Sequence, residues 1–179
     1  MQKLPFLILA LVLPLAAQAD TLPAPTAKPC REQAMGRALD FWIGDWIVTN
    51  VADGSPSGTN RIERKLDGCA VTEDWHGATA DDDGMSLFTY DAQRQVWEQV
   101  WVSQDTSQLG GLKHKIADTI LPGGVMQFEG TLMGPKFSVL DRTTLTPLKD
   151  GRLRQTIQLS KDHGANWKVV FDAYYARKS

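Results

Sequence analysis

Residues 95–103 read QVWEQVWVS. Counted in twos, Trp97, Gln99, Trp101 and Ser103 fall on one side, and Val96, Glu98, Val100 and Val102 on the other. Successive side chains of an extended strand point to opposite faces, so the stretch is a strand with two contrasting faces. In a small barrel one such face lines the interior. Parity separates the two faces without saying which is inside. The reading adopted puts Trp97, Gln99 and Trp101 inside. Together with a Glu73–Trp75 face they would form an apolar pocket holding a few placed polar groups, the usual make-up of a small-molecule site. The opposite reading makes the valines a filled core and the Trp/Gln side an external ledge.

The same rhythm runs outward in both directions from residue 45 to the end. Asn60, Ile62, Arg64 and Leu66 share a face, as do Val71, Glu73 and Trp75. The segments MSLFTYD, GLKHKIADTI, GVMQFEGTL, KFSVLDRTTLTPL, RLRQTIQLS and NWKVVFDAYYAR follow, separated by short turn-forming stretches such as DAQR, LPGG and KDG. Leu66-Asp67-Gly68 suits a hairpin needing positive φ. About ten short strands with such joints predict an all-β, antiparallel up-and-down barrel. No crossover-length helix lies between them, which argues against a parallel α/β sheet. The absence of a long internal repeat argues against a propeller. One short helix is expected over residues 31–43, where Met35, Ala38, Leu39 and Trp42 fall near helical spacing before Gly44.

The first nineteen residues have the pattern of a secretory signal peptide: Lys3, an unbroken apolar run, then AQA before Asp20. Residues 20–30 read as a flexible lead rich in Pro, Ala and Thr, and residues 31–179 as the folded domain. A periplasmic or secreted location follows. The apolar run is too short for a comfortable membrane span, so no stable membrane insertion is expected after cleavage. The whole chain of 179 residues carries a net charge of −2, and losing Lys3 makes it −3. That mild balance gives no reason to expect nucleic acid and leaves the oligomeric state open. In an oxidising compartment the two cysteines, Cys30 and Cys69, are expected to form a disulfide, the alternative being two free thiols. Such a closure contributes about 3–4 kcal/mol by the loop-entropy model.

The stretch FWIGDW, residues 41–46, resembles the opening of the lipocalins and the wider calycin group. There a Gly-x-Trp step, here Gly44-Asp45-Trp46, starts the first strand, and the Trp closes one end of the barrel. A basic residue from the last strand packs over its ring, and Arg177 is the candidate. The blocks ALDFWIGDW, GTNRIERKLDGCAVTEDW, GMSLFTYDAQRQVWEQVWV and FDAYYAR are also similar to a group of exported bacterial proteins of unknown function, over roughly residues 38–177. That resemblance implies a calycin-like barrel and no activity. Haem-binding nitrobindin-type barrels have a similar opening, but His76, His114 and His163 match no proximal-ligand position, so no cofactor is expected.

On the adopted reading the pocket draws on Asn60, Arg64, Glu73, Trp75, Phe88, Tyr90, Gln99, Trp101 and Arg142, with Glu73 the counter-charge for an inward arginine. Asp81-Asp82-Asp83-Gly84 reads as a solvated acidic turn, since the EF-hand spacing is absent, and no metal is expected. Ser160, Asp162, Gly164 and Trp167 hold the spacing of an Asp-box hairpin turn, a local device. His76 has Asp74 as its nearest carboxylate of matching parity. No nucleophile, zinc or phosphate-loop motif is present. Three functions compete: a binding protein for a small, partly apolar molecule, a barrel-cavity enzyme of isomerase or cyclase type, and a structural module with a filled interior. The second predicts a carboxylate of raised pKa facing a cavity; the third predicts no cavity.

Overall fold

The computed structural model describes residues 28–106 and 109–179. The expected signal peptide and most of the lead lie outside the described residues. Among the described residues eleven strands form: β1 Gly44–Asn50, β2 Pro56–Lys65, β3 Ala70–Gly77, β4 Asp83–Asp91, β5 Val96–Ser103, β6 Leu112–Ala117, β7 Ile120–Leu121, β8 Val125–Met133, β9 Ser138–Pro147, β10 Leu153–Ser160 and β11 Lys168–Arg177. Neighbours in sequence are antiparallel, and β11 returns beside β1. Pairing of β6 with β8 closes the cylinder. The result is a ten-strand up-and-down barrel, with two-residue β7 paired to the start of β8. Among the described residues, closure leaves only two-residue β7 with an unpaired edge.

Alternation places Trp97, Gln99 and Trp101 inward, with Trp97 and Gln99 buried and Val100 exposed on the outside. Ile62, Val71, Phe88, Phe128, Leu145, Leu153 and Ala173 join Trp97 in the core. The Asp-Gly turn between β2 and β3 takes positive φ at Asp67 and Gly68, as the sequence indicated.

The single helix expected over residues 31–43 does not form. Instead a one-turn helix, α1 Pro29–Glu32, is followed by 3-10 turns at Met35–Arg37 and Asp40–Trp42. The reason lies at Gly36, where a Cβ would sit 2.8 Å from the Cys30 backbone. The chain doubles back on itself there, and a continuous helix cannot. The Cys30–Cys69 disulfide, with Cα atoms 5.0 Å apart, ties this segment to the start of β3. Among the described residues no helix is long and apolar enough to cross a membrane.

The folded-back segment plugs one end of the barrel. Leu39, Trp42 and Trp46 are buried there, and Trp42 meets Phe88 edge-on at 5.3 Å between ring centroids. Trp97 Nε1 donates to the Met35 carbonyl at 2.7 Å, and Trp46 Nε1 to the Trp42 carbonyl at 2.8 Å. The Arg177 guanidinium lies 4.1 Å above the Trp46 ring and donates to the Ile43 carbonyl. Positive charge over an indole face is favourable, so the last strand clamps the first at the plug.

Candidate ligand-binding site

Above the plug, toward the end where the β3–β4 and β5–β6 loops lie, the lumen is not filled. A cavity of about 160 Å³ remains. Its upper walls are Trp75 from β3, Trp101 from β5, Ile157 from β10 and Phe171 from β11. Two glycines leave room for the indoles. A Cβ on Gly58 would come within 2.8 Å of the Trp75 ring, and one on Gly84 within 2.4 Å of the Trp101 ring. Each ring therefore occupies space that any larger residue on the adjacent strand would claim. Trp75 also meets Phe171 edge-on at 6.1 Å.

The floor is polar, and its groups form two hydrogen-bonded sets. In the first, Gln99 Nε2 donates to Ser86 Oγ at 3.0 Å, and Ser86 Oγ donates to Glu73 Oε2 at 2.6 Å. Asn60 Nδ2 donates to the other Glu73 oxygen at 2.8 Å. Burial pushes the Glu73 carboxyl above its ordinary value, outweighing the Ser86 and Asn60 hydrogen bonds and the attraction of Lys115 and Lys113. In the second set, Lys115 Nζ donates to Asp141 Oδ1 at 2.6 Å and to Thr143 Oγ1 at 2.5 Å. Lys113 Nζ lies 3.2 Å from the other Asp141 oxygen. Burial lowers the Lys115 ammonium to about 8, with Asp141 pulling upward and Lys113 downward. The Tyr175 hydroxyl donates to Gln155 Oε1 beside them, and burial keeps it well above the ordinary phenol value.

No family model matches the chain, and neither does any curated protein. Function therefore rests on this geometry. Of the residues expected in the pocket, Glu73, Trp75, Gln99 and Trp101 line the cavity, and Asn60 stands behind Glu73. Phe88 and Tyr90 face inward but belong to the plugged end, where Tyr90 packs on Trp97 and its hydroxyl donates to Gln33. Arg64 also serves the plug, donating to the Gly68 carbonyl at 3.0 Å and pairing with Asp40. Arg142 points outward, stacked 3.8 Å over Trp167 and paired with Glu129 at 2.7 Å. The expected pairing of Glu73 with an arginine does not form, because neither guanidinium reaches the lumen.

The cations of the site are lysines instead. Lys113, Lys115, Asp141, Thr143, Gln155 and Tyr175 all line the cavity or its floor and were not among the expected residues. Their signal lay in strand register. Lys115 is opposite Gln99 and Lys113 opposite Trp101, and directly paired residues share a face. The three histidines lie outside the lumen. His76 pairs with Asp83 at 3.2 Å, not with Asp74, and His114 with Glu98 at 3.1 Å. His163 sits in the Asp-box turn at φ 57°. In that turn Asp162 accepts from Ser160 and from the Asn166 backbone and side chain, which hold its carboxyl at about 2.

Proposed function

We propose that the protein binds a small, partly apolar molecule inside the barrel, in an oxidising compartment outside the cytoplasm. The observation that carries this reading is the cavity of about 160 Å³, walled by Trp75, Trp101, Ile157 and Phe171 above a floor of polar side chains. An apolar wall with a few convergent polar groups is what small-molecule sites have in common. The volume sets the ligand's size: a cavity of about 150 Å³ accommodates a benzene-sized molecule, so a long acyl chain is too large. A module with a filled interior would have no such space. The Gly44, Trp46 and Arg177 arrangement supports a lipocalin-like assignment for residues 31–179, and the Cys30–Cys69 bridge supports export.

A second reading is favoured by one observation. Glu73 is a buried carboxyl of raised pKa in the cavity floor, as a barrel-cavity isomerase or cyclase needs for proton transfer. In that reading Glu73 moves the proton, and Asn60 and Ser86 orient it.

Intrinsic fluorescence tests the binding reading. One-ring aromatic probes such as benzyl alcohol and benzoate are expected to quench tryptophan emission saturably, and Trp101→Ala to lose most of that change. Failure of every one-ring probe to alter the emission would leave the pocket without an occupant and contradict the reading.

A further inference from the structure

Two ammonium groups, those of Lys113 and Lys115, converge on the cavity with donor capacity to spare. Asp141 is fully buried and contacts both, 2.6 Å from Lys115 and 3.2 Å from Lys113. Glu73 is the other acid within reach, and its burial draws it toward the neutral form. Burial lowers the Lys115 ammonium to about 8 against the pull of Asp141 and Glu73. Among the described residues, Asp141 and Thr143 take two of the three Lys115 N–H donors, which leaves one. The Tyr175 hydroxyl, near Glu73 and hydrogen-bonded to Gln155, stays neutral and adds no charge. Asp82, on the exposed loop at the mouth, is the remaining acid along the cavity, and water screens it.

We infer that the ligand is a small aromatic or branched monocarboxylate, its carboxylate seated on Lys113 and Lys115 and its apolar body held between Trp75, Trp101 and Phe171. The inference rests on the binding reading above and adds the ligand's charge. A monoanion gives Lys113 and the unused Lys115 donor a charged acceptor, and charge-assisted hydrogen bonds to ammonium are about twice as strong as neutral ones. The aromatic walls fit a flat body of the size the cavity admits. Asp141 then serves to hold both lysines in place.

The test uses the full chain and three probes of one shape: benzoate, benzamide and benzyl alcohol, titrated by calorimetry at pH 7. Benzoate is expected to bind at least tenfold more tightly than either neutral probe. Lys113→Gln removes one cation at a side chain that is partly solvent-exposed, which keeps the variant folded. It should cut the benzoate preference at least fivefold while benzyl alcohol binds as before. Benzoate affinity should also fall as pH rises past about 8, where Lys115 loses its proton, and benzyl alcohol affinity should not. Equal binding of all three probes, or an unchanged preference in Lys113→Gln, would overturn the carboxylate inference and leave the pocket reading standing. Absence of binding by all three would overturn both.

Discussion

Replacing Asp141 with alanine is expected to destabilise the protein by about 3–5 kcal/mol at pH 7, measured by urea unfolding. The effect comes from what is left behind. Lys115 has 2% of its side chain exposed and Lys113 16%, and Asp141 is the carboxylate that both contact. Without it, two ammonium groups face each other in a desolvated lumen. The loss depends on pH in a definite sense. A lysine whose folded pKa lies below its unfolded value binds fewer protons when folded. Its contribution to stability therefore rises with pH between the folded and unfolded values. For the native protein that window opens at about 8. In Asp141→Ala it opens lower, so the destabilisation is greatest at and below neutral pH and shrinks toward pH 10. A complementary variant separates stability from function. Changing Lys113, Lys115 and Asp141 together to Met, Met and Leu removes the whole charge set, and such replacements are often neutral or stabilising. That triple variant is expected to unfold no earlier than the native protein and to lose benzoate binding. The charges would then serve the ligand, with the fold indifferent to them.

Trp46→Ala is expected to cost about 3–5 kcal/mol. The indole is 1% exposed, meets Tyr175 edge-on at 6.3 Å, and carries the Arg177 guanidinium on its face. Truncation removes this packing and leaves a void that the plug cannot collapse into, because the Cys30–Cys69 bridge fixes the arm that covers it. The Trp42 carbonyl also loses its 2.8 Å donor. Urea unfolding measures the loss. A change below about 1 kcal/mol would mean that the plug is held by the disulfide and the arm alone.

The barrel was legible because its strands alternate cleanly where aromatics sit. The strand period groups Trp97, Gln99 and Trp101 on β5, and Glu73 and Trp75 on β3, each on one face of its own strand, and the register through Ser86 brings the two faces into one lumen. Strand β6 inverts the usual pattern. Leu112 and Ile116 face outward, 63% and 38% exposed, while Lys115 is buried. A rule that puts apolar groups inside chooses the wrong face there, because the floor of this lumen is polar. Register corrects it, since the partners of Gln99 and Trp101 must share their side. On β9 the missed acid was one residue from the arginine selected. Arg142 faces out and Asp141 in, and the inward Val139 and Leu145 share the parity of Asp141. A slip of one position exchanges the faces of a strand. The broken helix could not be read from spacing, since Gly36 owes its role to a close approach that only the folded chain reveals.

The most direct measurement is a two-dimensional NMR spectrum of the six tryptophan indole N–H groups, recorded as benzoate is added. The signals of Trp75 and Trp101 should move and saturate together. Those of Trp42, Trp46 and Trp97 in the plug, and of Trp167 on the Asp-box turn, should stay in place. Movement confined to Trp167, or six stationary signals at saturating benzoate, would contradict a ligand site inside the barrel.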